Sequence, residues 1–118
     1  MARVDKTQSA IAVTRARAAA DFAEADYDKV IPVGLDAQGR AVKGAGQSGV
    51  VGVVIPGRIS KANSIMDIFG NGTEIVEVAG LAAGTKYYAE ADGDIVTVAT
   101  DNTYLGFTVE ADRLVVTI

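Results

Sequence analysis

From Lys29 to the C-terminus the chain sustains an apolar stretch for only a few residues before Gly, Asn or Asp interrupts it. Eight short runs rich in β-branched and apolar residues result, over 30–35, 49–55, 64–69, 74–78, 86–91, 94–99, 104–110 and 113–118. Runs of this length between turn residues are the pattern of strands, and each is shorter than an average helix. The expected fold class is therefore mainly β: a small sandwich or barrel-like domain of hairpins, with an extended N-terminal arm and at most a short helix.

Three links read as hairpins. Residues 64–69 lead through Gly70-Asn71-Gly72 into 74–78, residues 86–91 turn at Asp92-Gly93 into 94–98, and 104–110 closes over Ala111-Asp112 onto 113–118. Asn-Gly and Asp-Gly supply the positive φ that a tight turn between twisted strands demands. An ungapped offset of 54 residues also lays 33–42 over 87–96 and 50–55 over 104–109. Asp36-Ala37 with Gly39 then matches Glu90-Ala91 with Gly93, and Gly52 in one return strand matches Gly106 in the other, where a missing side chain permits a bulge or a close backbone approach. The chain reads as two related β units. One unit cannot cover its own apolar face, so packing the two together is the economical solution.

At 118 residues there is material for one domain around one core, divided here into an arm over 1–28 and a β domain over 29–118. No apolar stretch approaches the roughly 20 residues that span a bilayer. The first residues carry Arg3, Lys6, Arg15 and Arg17 and lack an uninterrupted apolar segment, so they do not read as a secretory signal, and intracellular synthesis is expected. Within the arm, Ile11, Val13, Arg15 and Arg17 alternate with period two, as an extended segment does, whereas 18–25 suits one helical turn with Asp21 and Glu24 near its start. Residues 1–20 carry a balance of +3 and residues 21–118 one of −7. An acidic body repels nucleic acid, and the arm cations alone are too few for a nucleic-acid footprint.

Cys, His and Trp are all absent, which removes disulfides, imidazole and thiolate metal ligands, and every His-based acid–base arrangement. Glu90, Asp92 and Asp94, with Asp101 further on, imitate part of a calcium loop, but Ile95 occupies the position where that loop needs Gly. A solvated hairpin edge explains these acids better. Ser60-Lys61 is the one nucleophile–base pairing in sight, and neighbours in an extended segment point to opposite faces. Asn71-Gly72-Thr73 is a formal glycosylation sequon that reads more simply as a turn, and Tyr87 and Tyr88 must face opposite sides of one strand, one toward the core and one outward. The expectation is a protein that is not an enzyme, with no cofactor and no metal.

The segments NGTEIVEVAGLAAGTKYYAEADGDIV (71–96) and LGFTVEADRLVVTI (105–118) resemble capsid decoration (cement) proteins of tailed bacteriophages. The resemblance spans about 64–118, with a weaker echo through 30–58. It implies a homotrimer on the outer surface of the mature head, made in the host cytoplasm, that binds the major capsid protein and reinforces the shell, without direct contact to nucleic acid or membrane. It also implies an arm that orders on landing; the charge split and the period-two pattern of the arm, which the resemblance does not cover, make Ile11, Val13, Arg15 and Arg17 the capsid-contact candidates. A host- or glycan-binding β module displayed on a virion is the alternative, and would need an exposed aromatic platform.

Overall fold

The computed structural model describes residues 14–118 and the backbone of Arg3–Val4. Among these residues the chain forms eleven strands: β1 (Arg3–Val4), β2 (Thr14–Arg17), β3 (Ile31–Leu35), β4 (Ala41–Lys43), β5 (Gly52–Val54), β6 (Ile65–Ile68), β7 (Glu74–Val76), β8 (Lys86–Ala89), β9 (Ile95–Val96), β10 (Thr103–Thr108) and β11 (Leu114–Val116). The helical content is one 3-10 turn, Glu24–Asp26. The mainly β architecture read from the sequence is thus the one observed, and each of the eight runs carries a strand.

The repeat is visible in the hydrogen-bond register. β3 pairs with β4 through Gly34↔Val42 and Leu35↔Ala41, and β8 pairs with β9 through Tyr88↔Val96 and Ala89↔Ile95, the same pairs displaced by 54 residues. On the other side, Val33↔Gly52 and Pro32↔Val53 recur as Tyr87↔Gly106 and Lys86↔Phe107. The tips match as well, since Asp36 N–H donates to Arg40 O and Gly39 N–H to Asp36 O, while Glu90 N–H donates to Asp94 O and Gly93 N–H to Glu90 O. Gly39 and Gly93 take φ of +77° and +96°, which closes each tip as a turn followed by a glycine bulge.

The first unit curls into a nearly closed barrel. β4, β3 and β5 form one sheet, and reciprocal bonds between Val53 and Phe69, at 2.8 and 2.9 Å, join β5 to the end of β6. β6 pairs with β2 from Thr14↔Ile68 to Arg17↔Ile65, and an Ala18↔Ala41 bridge returns the circuit to β4. Period-two alternation turns Ile31 and Val33, Val54, and Met66 and Ile68 inward, with Ala18 and Phe22 completing the interior. Residues 14–22 are therefore part of the wall and filling of this barrel, because the small Ala16 and Ala18 let the backbone close against β6 and β4.

The second unit is a six-stranded sheet in the order β1-β7-β11-β10-β8-β9. Its inner face, with Ile75, Leu105, Leu114 and Val116, packs on Val30 and Val53 from the outside of the barrel. Each of these large aliphatic side chains, fully withdrawn from water, contributes about 1.5–3 kcal/mol.

One expected hairpin is corrected. Strands β6 and β7 do not pair with each other; β6 pairs with β2, and β7 with β11 and β1. Gly72 alone takes a positive φ, +91°, whereas the tightest hairpin turns need positive φ at both central residues. The 70–73 turn instead carries the chain from the barrel into the second sheet. The other two hairpins form as read.

Candidate interaction surface

The cations of the arm's end are placed by β2. Arg15 stands opposite Asp67 on β6, with Nε 2.7 Å from Oδ1, and this hydrogen bond holds its guanidinium pKa above the usual value. Arg17 stands opposite Ile65 and donates from Nη1 to Asn63 O at 2.8 Å. Ile11 and Val13 lie outside the described residues. Of the candidates read from the sequence, the structure thus brings together Arg15 and Arg17, beside residues the sequence did not single out.

Those residues belong to the loop between β5 and β6. Pro56 ends β5, and the chain turns back on itself through Ser60 N–H donating to Gly57 O at 2.9 Å and Gly57 N–H donating to Ser60 Oγ at 3.0 Å. The far side is tied to the segment after β2: Phe22 N–H donates to Ser60 O at 3.0 Å, Ala62 N–H to Asp21 Oδ1 at 2.8 Å, and Asn63 N–H to Ala18 O at 2.8 Å. The tip is tied as well, Lys61 N–H donating to Ile59 O at 2.9 Å. At the tip, Ile59 is 86% exposed between Arg58 and Lys61. Lys61 Nζ reaches Tyr27 Oη at 3.2 Å, a bond that raises its pKa together with the nearby Asp21 and Glu24 charges. Ser60 is buried with its hydroxyl on the Gly57 amide, so it and Lys61 do not share a proton.

Ile59 and Ile65, the latter 57% exposed, flank one open groove of about 330 Å³ lined also by Pro56, Met66 and Phe69 and by the carboxylates of Asp28 and Asp67. A neighbouring hollow is lined by Glu24, Tyr27, Arg58 and Lys61. Among the described residues, Arg17, Arg58 and Lys61 have no carboxylate at ion-pairing distance. This end of the barrel thus surrounds an apolar centre with Arg15, Arg17, Arg58 and Lys61 interleaved with Asp21, Glu24, Asp28 and Asp67.

Two other surfaces stand apart from it. Glu90, Asp92 and Asp94 bring a carboxylate oxygen each within 4.8 Å of one another at the β8–β9 tip, while Asp101 is not among them. In the first unit the matching tip holds its own cation, Arg40 Nε lying 3.2 Å from Asp36 Oδ2, and the Asp36 carboxyl is held below its usual pKa by the Arg40 and Gln38 amides and the Arg40 charge. On the second sheet, Tyr88 and Tyr104 meet at 5.4 Å with their planes 55° apart, and Phe107 is 37% exposed. Tyr87 faces inward, its hydroxyl accepting the Ala82 amide at 2.7 Å. Among the described residues no helix is long and apolar enough to cross a membrane.

No family model and no curated protein matches this sequence. Among solved structures, a chain from Mycobacterium phage Patience superposes with a TM-score of 0.85 at 20% identity, over 98% of this chain and 95% of that one. The two chains share one fold. The match takes in barrel, second sheet and connecting turns together, so the two-unit body is an arrangement that a divergent sequence also adopts.

Proposed function

We propose that this chain is a structural component of a phage virion: a decoration protein that binds the outer surface of the expanded capsid and stabilises it by contact, without catalysis and without a cofactor. The observation that carries the reading is the likeness over nearly the whole of both chains to a phage protein. It is supported by the resemblance of 71–96 and 105–118 to decoration proteins and by a rigid body whose exposed chemistry is that of contact surfaces. On this reading the partner is the major capsid protein, the copies form a homotrimer, and neither nucleic acid nor membrane is engaged.

The glycan-binding alternative gains little from the aromatic residues. Tyr88 and Tyr104 are inclined to one another by 55°, so they make no flat platform for a sugar ring. The test is co-sedimentation of the purified chain with expanded, DNA-free heads and, separately, with unexpanded procapsids. Retention on expanded heads alone is expected. Equal retention on both, or on neither, contradicts the decoration role.

A further inference from the structure

We infer that the open edge of β9, at the seam where the second unit does not close, accepts one extended, basic segment of another protein chain as an added strand running parallel to β9. That the segment belongs to the capsid shell rests on the function proposed above. The seam itself does not.

The first unit shows what such an edge takes. Its strands follow the order β4, β3, β5, β6, β2 and those of the second unit the order β9, β8, β10, β11, β7, so β9 stands where β4 does and β7 where β2 does. In the first unit the chain leaving β2 returns to β4 through the parallel Ala18↔Ala41 bridge, Ala19 N–H donating to Ala41 O at 2.9 Å. Displaced by 54 residues, Ala41 is Ile95, and there the circuit stays open. Glu77, at φ +59°, takes the chain out of β7, and Val78 N–H donates to Asp112 O. β9 pairs with β8 alone. Glu90 N–H donates to Asp94 O, so the next pair, Ala89↔Ile95, is a non-hydrogen-bonded one, and the N–H and C=O of Ile95 point away from β8. Among the described residues neither group has a partner. An open cleft of about 350 Å³ at this seam is lined by Val78 and Ala79 on one side and by Asp94 and Ile95 on the other. A strand laid there gains main-chain bonds from Ile95, as Ala19 does from Ala41.

Charge selects the sign of the segment. The cleft is lined by the carboxylates of Asp26, Asp28, Glu77 and Asp94 against the ammonium groups of Lys29 and Lys43, and Lys43 is already held by Asp26 at 3.1 Å. Glu90 and Asp92 extend the excess along the tip, their carboxylates within 4.8 Å of that of Asp94. A short acidic edge discourages pairing between copies of one chain, here a chain of net charge −4, and the same excess draws a cationic segment. The segment that closes the first unit has this character: residues 14–20 read TRARAAA, with Arg15 and Arg17 as the charges.

The probe is therefore the synthetic peptide TRARAAA, with TEAEAAA as its acidic counterpart, each added to the full chain at up to about 1 mM. Amide hydrogen exchange at Ile95, followed by NMR, is expected to be unprotected in the free chain and slowed about tenfold or more by the basic peptide, with no change from the acidic one. Two variants are compared by anisotropy of the labelled basic peptide and by co-sedimentation with expanded, DNA-free heads. Ile95→Pro removes the outward donor at an edge position that tolerates proline. The double variant Glu90→Lys with Asp94→Lys leaves the backbone intact and reverses the charge. Each is expected to bind peptide and heads about tenfold more weakly, the charge variant at low salt only. Absence of peptide binding, binding that leaves Ile95 exchange unchanged, or equal slowing by the acidic peptide overturns the inference whatever the heads show. If the unmodified chain binds heads and both variants bind them equally well, the seam is not the docking edge and the virion role stands; if the peptide results hold and the chain does not bind heads, the seam stands and the virion role falls. A loss of self-association on sedimentation in either variant assigns the edge to a second copy and overturns the inference.

Discussion

Gly106 tests the packing of the second unit at a single atom. Built on its backbone, a Cβ would overlap the Val115 carbonyl oxygen and lie 3.0 Å from the carbonyl carbon and 3.1 Å from Val116 Cα, all backbone of the neighbouring strand. A strand cannot turn aside as a flexible side chain can. Gly106→Ala must push β10 and β11 apart by about 1 Å, which strains the ladder through Gly106↔Val116 and Phe107↔Val115 and lifts Leu114 and Val116 from the core. Losing about two ladder bonds at about 1 kcal/mol each, with overpacking of a further 1–3 kcal/mol or so, gives a destabilisation of about 3–5 kcal/mol. For a domain of this size that lowers the midpoint by about 10–20 °C. Gly57 provides the contrast, since its Cβ would meet nothing within 4 Å and its φ is not in the left-handed region. Gly57→Ala is expected to leave the midpoint unchanged or slightly raised. Differential scanning calorimetry reads both. A Gly106→Ala midpoint within about 3 °C of the unmodified chain would refute the close approach of β10 to β11.

Three further outcomes follow from the same contacts. Tyr87→Phe removes the acceptor of the Ala82 amide inside a buried site, and should cost about 1–2 kcal/mol in chemical unfolding while leaving the circular dichroism spectrum strand-dominated. The Asp36 carboxyl has its pKa lowered from 3.8 on folding, so its contribution is present above the unfolded value and lost as pH falls through the folded one. Asp36→Asn should therefore lower the thermal midpoint at neutral pH, with the difference from the unmodified chain shrinking below about pH 4. Deleting residues 1–20 removes β2 and the fully buried Ala18 and should abolish the cooperative thermal transition, whereas deletion ending at residue 13 retains the β2–β6 pairing and the transition.

The second unit was largely legible because its turns are short and its apolar residues alternate. Asp36 to Arg40 and Glu90 to Asp94 carry the same bonds at the same offset, so the repeat in residue type was also a repeat in register. Strand β4 was harder, being only Ala41–Lys43, too short for periodicity to mark outside the repeat. The 70–73 turn was misread because Asn-Gly announces a turn without stating which sheet receives the next strand; that depends on Phe69 bonding to Val53, a long-range choice. The alternation of Ile11, Val13, Arg15 and Arg17 signalled extended backbone, and Arg15 and Arg17 do lie on a strand, but β6 as their partner is a tertiary fact. Ile59 could have been suspected. Pro56-Gly57 ends a strand, and a lone Ile between Arg58 and Lys61 in a turn has no periodic neighbours with which to reach a core.

The most direct measurement of the central claim is single-particle imaging of expanded heads with and without the added chain. The account predicts new density on the outer surface only, three copies about each three-fold position, fitted by the two-unit body. Heads that gain no ordered density, or that gain it on the inner surface, would contradict the proposed role.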